Sequence, residues 1–224
     1  MTVRPVPTDV ADDTGATRER ILVAAEKAFV ALGFHAATVD GIARDARCSK
    51  KTVYKFFASK EELFATLLRG LRTEVEALPV PDGADPEVVL RDFLASMAEI
   101  LLRDRSLVLM RIAMAEVGRM PTPMSGAGAA EAGNPARLGL ERYLAALQRE
   151  GGHDFGPPHE AARLLIGMAL GAFHHELLAG LKAEVPAPEL SNRIARAVRI
   201  FLRGSRVTED PCPAGADSVS GAIR

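Results

Sequence analysis

From Ser49 to Phe57 the chain reads Ser-Lys-Lys-Thr-Val-Tyr-Lys-Phe-Phe, a short segment dense in cations, with a hydroxyl and a phenol among them. At helical spacing Val53 and either Phe56 or Phe57 turn to one side, leaving Lys50, Lys51, Thr52, Tyr54 and Lys55 on the other. Lys50 and Lys51 fall in the first turn, where the helix dipole disfavours positive charge by about 0.3–1 kcal/mol each. A facing polyanion offsets that cost, so the pattern points to nucleic acid. Lysine donates to guanine O6/N7, and threonine hydrogen-bonds a base or touches a thymine methyl. Lys51, Thr52 and Lys55 are therefore the candidate base readers.

Elements that could hold such a segment flank it. Thr38 is placed to cap a preceding helix in which Val39, Ile42, Ala43 and Ala46 share a face, and Arg47-Cys48 then separates it from a second helix opened by Ser49. Two helices so divided have the form of a helix-turn-helix. The Thr38 hydroxyl, beside free backbone N–H groups, could also meet a phosphate. Gly41 lies inside the first of these helices, where glycine costs about 1 kcal/mol relative to alanine, which suggests a close approach of two backbones. Upstream, Ile21, Ala25, Ala28, Phe29 and Leu32 recur at helical spacing from Thr17 until Gly33 stops the helix. Arg18 and Arg20 on it suit phosphate contact and a solvated face equally well. Downstream, Ser59-Lys60-Glu61-Glu62 is a capping box for a helix carrying Leu63, Phe64, Leu67, Leu68, Leu71 and Val75 to about Leu78. Pro79, Pro81 and Gly83 break it and mark a domain boundary.

These residues carry a family resemblance. Gly33-Phe34, Thr38-Val39-Asp40-Gly41-Ile42-Ala43, Ser49 to Phe57 and Ser59-Lys60-Glu61-Glu62-Leu63 are similar, in order and spacing, to the N-terminal DNA-binding domain of the TetR family of bacterial transcriptional regulators. The resemblance spans residues 17–64. It implies that Lys50, Tyr54 and Lys60 clamp phosphates, a role their charge and position also suit; clamps fix register without reading sequence. It further implies a C-terminal effector and dimerisation domain, with the helix after Ser59 linking it to the reading head. Lys51 stands where the family often has glycine, and Phe56 where it commonly has histidine, which takes Phe56 off the contact list.

The charge distribution agrees. The net charge is −1, yet nine basic residues face four acidic ones between Thr17 and Lys60, a surplus of five that leaves −6 on the remainder. Cys48 and Cys212 are the only cysteines, which gives no disulfide framework and fits a reducing cytoplasm. The longest nearly unbroken apolar run, Leu164 to Phe173, is far short of the roughly 20 residues a membrane span needs, and the N-terminus lacks a signal-peptide apolar core.

The rest of the chain reads as helices, with no sustained period-two alternation to suggest strands. Asp85-Pro86 opens one bearing Val89, Phe93, Met97, Ile100 and Leu101. Others are expected from Leu107 to Val117, from Asn134-Pro135 to Gly151, from His159 to Leu178 and from Glu189 to Arg203, with a Gly/Ala/Pro/Met connection over Met120 to Gly133. Gly167 and Gly171 lie four apart on one face, and Leu190, Ile194, Ala197, Val198 and Phe201 form a stripe. A recognition helix that reads a palindrome needs a two-fold partner. The expected dimer surface is therefore Gly167, Gly171, Leu178, Ile194, Val198 and Phe201 in a four-helix interface, against the alternative that these helices pack only within one chain. The family resemblance also implies an effector pocket. Phe93, Met97, Met110, Met114, Met168, Tyr143 and Phe173 could line an adaptable apolar cavity, with His174 as a hydrogen-bonding group, although each taken singly suits ordinary core. His174 and His175 are adjacent and point about 100° apart, so they do not form a chelating pair. No P-loop, dinucleotide fingerprint, nucleophile elbow or zinc spacing occurs.

The expectation is an all-α protein of about nine helices: a disordered arm (1–16), a helix-turn-helix head (17–64), a helical effector and dimerisation domain (65–204) and a flexible tail (205–224). Its partners would be a palindromic duplex, a second copy and a small, largely apolar effector, with no cofactor, metal or catalytic residue. Two rivals stand beside a ligand-released repressor: a regulator using a corepressor or protein partner, and a helical small-molecule binder with a vestigial head.

Overall fold

The computed structural model describes residues 9–81, 83, 85–116 and 135–207. Among them the chain is helical throughout, apart from one isolated antiparallel bridge between His153 and Arg206. The helices are α1 (Asp9–Ala36), α2 (Val39–Asp45), α3 (Lys50–Phe56), α4 (Lys60–Glu76), α5 (Pro86–Leu101), α6 (Asp104–Glu116) and α7 (Pro135–Glu150). Then follow α8, in which Pro158–Ile166 passes through a π turn (Gly167–Gly171) into Ala172–Leu178, and α9 (Ala187–Gly204).

Local chemistry accounts for most boundaries. Ser49 and Ser59 cap α3 and α4 by accepting from the amides of Thr52 and Glu62, at 3.0 and 3.1 Å. Glu62 reaches back to accept from the Ala58 amide at 2.6 Å, closing the box one residue outside the cap. Asp85 caps α5 with Pro86 at its first position. Gly33 (φ 76°, ψ 173°) breaks the path of α1, after which a last turn continues to Ala36. That helix begins at Asp9 rather than Thr17, so half of the expected arm is helical. Residues 1–8, the Met120 to Gly133 connection and Cys212 lie outside the described residues. Of the expected tail only residues 205–207 are described: Ser205 is buried, and Val207 N donates to Gly152 O at 3.2 Å.

Two apolar cores result, and they share helices. The first gathers Ile21, Phe29 and Phe34 of α1, Ile42, Val53, Phe57, and Leu63, Phe64 and Leu67 of α4. Phe34 stacks on Phe29 at 5.6 Å, and Phe64 meets both rings edge-on. Leu109 and Ala113 of α6, far along the chain, complete this core. The second core joins α5, α7, α8 and α9 through Leu90, Phe93, Leu94, Leu140, Leu165, Ile194 and Val198, and takes Val75 from the far end of α4.

Charges fasten the same junction. Arg105 of α6 pairs with Glu26 of α1 at 2.6 Å and Glu74 of α4 at 2.9 Å, while Arg103 also binds Glu74. His35, just past Gly33, meets the buried carboxylate of Glu116 at 2.7 Å. On its other side, α6 sends Arg111 to the carbonyls of Leu177 and Leu178, the last turn of α8. Helix α6 therefore touches both ends of the molecule.

Leu109 is fully buried in the first core although it lies well beyond residues 17–64. Leu109→Ala should cost about 2–5 kcal/mol. Urea unfolding should show the loss, accompanied by faster protease cleavage within residues 17–64; wild-type stability would mean that α6 only rests on the head.

Candidate nucleic-acid interface

The turn between α2 and α3 is built from the backbone outward. Ala46 N donates to Ile42 O, and Cys48 N donates to Ala43 O at 2.9 Å, closing the end of α2. Arg47 takes the left-handed conformation (φ 53°), which is uncommon for a residue with a Cβ and turns the chain into α3. Thr38 caps α2 by accepting from Gly41 N at 3.1 Å. A Cβ on residue 41 would stand 3.3 Å from that hydroxyl, so the glycine makes room for a capping side chain rather than for a second backbone.

Helix α3 is anchored by Val53 and Phe57, at 1% and 2% exposure, which resolves the choice between the two phenylalanines in favour of Phe57; Phe56 is half-buried against the same core. Lys50, Lys51, Tyr54 and Lys55 are exposed together on the outer side, with Thr52 half-buried beside Ser49, their hydroxyls 2.8 Å apart. Tyr54 keeps 47% of its surface in solvent. Lys50 donates to Asp40 of α2 at 2.9 Å, and this hydrogen bond raises its pKa and keeps it cationic. Arg18 lies over the Phe57 ring at 5.3 Å, and Arg20 donates to Thr17, so α1 brings at least one cation against the foot of α3.

Lys60 is placed differently from a free clamp. Its ammonium donates to Phe34 O at 2.7 Å and Ala37 O at 3.0 Å and sits 4.4 Å from the Phe34 ring centroid. Two of its donors thus satisfy carbonyls at the end of α1, a negative helix terminus that attracts a cation. Neither this tie nor the Asp40–Lys50 pair is legible in the sequence, because both cross between helices at separations that no periodicity encodes.

The residues proposed for an effector pocket do not form one group. Phe93 and Met97 are buried in the second core, with Tyr143 packed against it and its phenol pKa raised by burial. Phe173 is buried beneath the cations of Lys182 and Arg193. His174 is half-buried, and desolvation lowers its pKa, favouring the neutral ring. Met110 is half-buried on α6, and Met114 is 51% exposed, so Met114 does not line an interior cavity. The reason is angular: Ala113 turns into the head core and its neighbour must turn out. Met168 lines a surface groove of about 450 Å³ with Arg193, Arg196 and Ile200.

The expected dimer surface divides in the same way. Gly167 and Gly171 are exposed, and nothing lies within 4 Å of where their side chains would begin. Leu164 and Ile200 stand 62% and 51% exposed on the same two helices. Leu178 is half-buried. Ile194 and Val198, however, are buried in their own chain's core at 3% and 0%, and Phe201 stacks on Phe155 at 5.2 Å. An amphipathic helix has one apolar stripe, and α9 spends it inside the subunit. Among the described residues no group of His, Cys, Asp and Glu is arranged to hold a metal ion, and no helix is long and apolar enough to cross a membrane.

Comparison with known proteins supplies the context. Residues 21–67 match the family model of bacterial regulatory proteins, tetR family, and residues 88–204 match that of the AefR-like transcriptional repressor C-terminal domain. The chain is 34% identical over 90 residues to the HTH-type transcriptional repressor NicS of Pseudomonas putida, an alignment covering 39% of this chain and 42% of NicS, so it spans less than half of that relative's length. The flavonoid-responsive regulator FrrA superposes with a TM-score of 0.68 at 27% identity, covering 86% of this chain and 98% of FrrA. A TetR family transcriptional regulator from Pseudomonas syringae pv. tomato gives 0.65 at 26%, covering 85% and 97%.

The tie from Lys60 has a measurable weight. Lys60→Met keeps the packing stem but strands two carbonyls, and should lower unfolding stability by about 1–2 kcal/mol in the absence of any nucleic acid. Guanidinium unfolding measures this; an unchanged midpoint would show the tie to be dispensable.

Proposed function

The chain belongs to the TetR family of bacterial transcriptional regulators, and from that membership we propose that it is a homodimeric repressor that binds a pseudo-palindromic operator and is released by a small, largely apolar ligand. Its relatives by sequence and by family model are regulators rather than enzymes. The observation that carries the reading is the outer side of α3, where Lys50, Lys51, Tyr54 and Lys55 are exposed together while Val53 and Phe57 fix the helix from behind. Lys51, Thr52 and Lys55 are assigned to base edges. Lys50, Tyr54 and the Thr38 hydroxyl are assigned to phosphates, and Lys60 contributes mainly by setting the angle between α1 and α4.

Repression is supported by the printed names of the matching C-terminal family and of NicS, and an apolar effector by the flavonoid response of FrrA. Dimerisation is assigned to the exposed faces of α8 and α9, with Leu164, Gly167, Gly171 and Ile200 at its centre, in place of the buried Ile194 and Val198. Two heads must meet successive major grooves about 34–36 Å apart. A ligand bound more tightly by a conformer with the wrong spacing releases DNA, and nothing further is required of it. The cytoplasm is the compartment where such a protein meets DNA.

Fluorescence anisotropy with the duplex upstream of the protein's own gene tests the core of the reading. Binding should weaken steeply with salt, and Lys51→Ala should change sequence preference at one position of each half-site by about 1–3 kcal/mol. An affinity that ignores salt, or an Ala variant that loses all sequences equally, would remove the base-reading assignment and favour a vestigial head. Separately, Leu164→Glu with Ile200→Glu should shift sedimentation from dimer to monomer at micromolar concentration, since buried like charges oppose association. A dimer that survives both changes lies elsewhere on the surface.

A further inference from the structure

Between the start of α5 and the end of α9 lies a cleft of about 250 Å³ walled by Asp85, Glu87, His153, Arg199, Arg203 and Arg206. It shares no residue with the groove beside the π turn or with the reading surface of α3. Three arginines line it, in the part of the chain that carries the negative balance.

Their pairing is incomplete. Arg199 Nε stands 4.0 Å from Glu87 Oε1, the outer limit of an ion pair. Asp85 is committed as the cap of α5, accepting from Glu87 N at 2.9 Å. Among the described residues no hydrogen bond or ion pair engages the side chain of Arg203 or Arg206. Unpaired guanidiniums beside one another repel, and the surrounding chain is built to keep them there.

That construction is specific. Asp154 N donates to Ser205 O at 2.7 Å, Val207 N to Gly152 O, and Arg206 forms the bridge to His153, so Arg206 stands on a stitched segment rather than on a fraying end. The His153 ring contacts Ser205 Oγ through Nδ1 at 2.9 Å and stacks on Phe155 at 5.2 Å, which in turn stacks on Phe201. Behind the cleft these contacts hold His153, which forms part of its wall.

We propose that this cleft binds a small dianion, a phosphoryl group on a short polar stem, through Arg203 and Arg206 with Arg199 closing over it. The planar guanidinium fork suits phosphate oxygens in pairs. At about 250 Å³ the cleft is just below the roughly 300–1,000 Å³ usual for ligand pockets, a size that suits a phosphomonoester headgroup. The site is separate from the operator-binding surface and from the apolar effector, and it stands whether or not those assignments hold.

Isothermal titration of the full-length protein with inorganic phosphate, and separately with glycerol phosphate, at constant ionic strength tests the assignment. Saturable binding at one site per chain is expected. Arg203→Gln with Arg206→Gln should weaken it by at least about tenfold through loss of the charge-assisted contacts. Both side chains are exposed and unpartnered, so the exchange leaves the fold intact. Lys51→Ala with Lys55→Ala, which removes two of the outward cations of α3, should leave affinity unchanged. Heat that never saturates in the wild type, binding that follows the head variant, or an unchanged affinity in Arg203→Gln/Arg206→Gln overturns the proposal.

Discussion

The head of this molecule cannot close its own core. Three short helices and the start of α4 leave a gap that Leu109 and Ala113 fill from α6, and Glu26, Arg105 and Glu74 fasten the seam with charge. Everything else depends on that borrowed pair of side chains. Because α6 also holds the end of α8 through Arg111, the orientation of the reading helix is mechanically tied to the far domain. Two discrete packings of α4 and α6 are a simpler route for coupling than a flexible linker, since close-packed contacts switch rather than stretch.

The reading helix itself shows a division between what folds and what recognises. Seven residues are too few for an independent helix in water, so α3 exists because Ser49 caps it and Val53 and Phe57 are held in the core. That leaves its outer side free to be chosen for chemistry alone. Arg47 in a left-handed conformation and Lys50 in a first turn are both locally unfavourable choices. Asp40 relieves the second by accepting from Lys50, which also locks the two helices of the motif together. Local cost of this kind, concentrated at one turn, is what a surface selected for a partner looks like.

Much of this was legible in the sequence, and the unread parts have physical causes. Caps at Thr38, Ser49, Ser59 and Asp85 are short-range chemistry and located the helix starts. The inward stripe of α3 followed from spacing. The dimer surface was misread in part because an apolar stripe announces burial without saying against what: Ile194 and Val198 are buried, but in their own subunit. The pocket suffered from the same ambiguity, since Phe93 and Met97 obey the rules of a core and of a cavity wall alike. Lys60 was read from the family resemblance and from its charge and position, and its carbonyl partners come from a helix end some two dozen residues away. The π turn in α8 leaves no periodic signature at all, because one extra residue in a turn shifts the helical phase without changing composition.

The shared ownership of α6 bears on how such proteins are recombined. A cut at the prolines after α4 looks natural, and a hybrid sensor joined there would carry a foreign α6 beneath the native head. Unless the donor supplied a leucine and an alanine at matching depth, together with an arginine opposite Glu26 and Glu74, the graft would leave a void under the aromatic trio and an acidic seam without its counter-charge. Interchangeable parts in this architecture are therefore bounded by the end of α6, and a transplant that respects that seam keeps the hinge as well as the head.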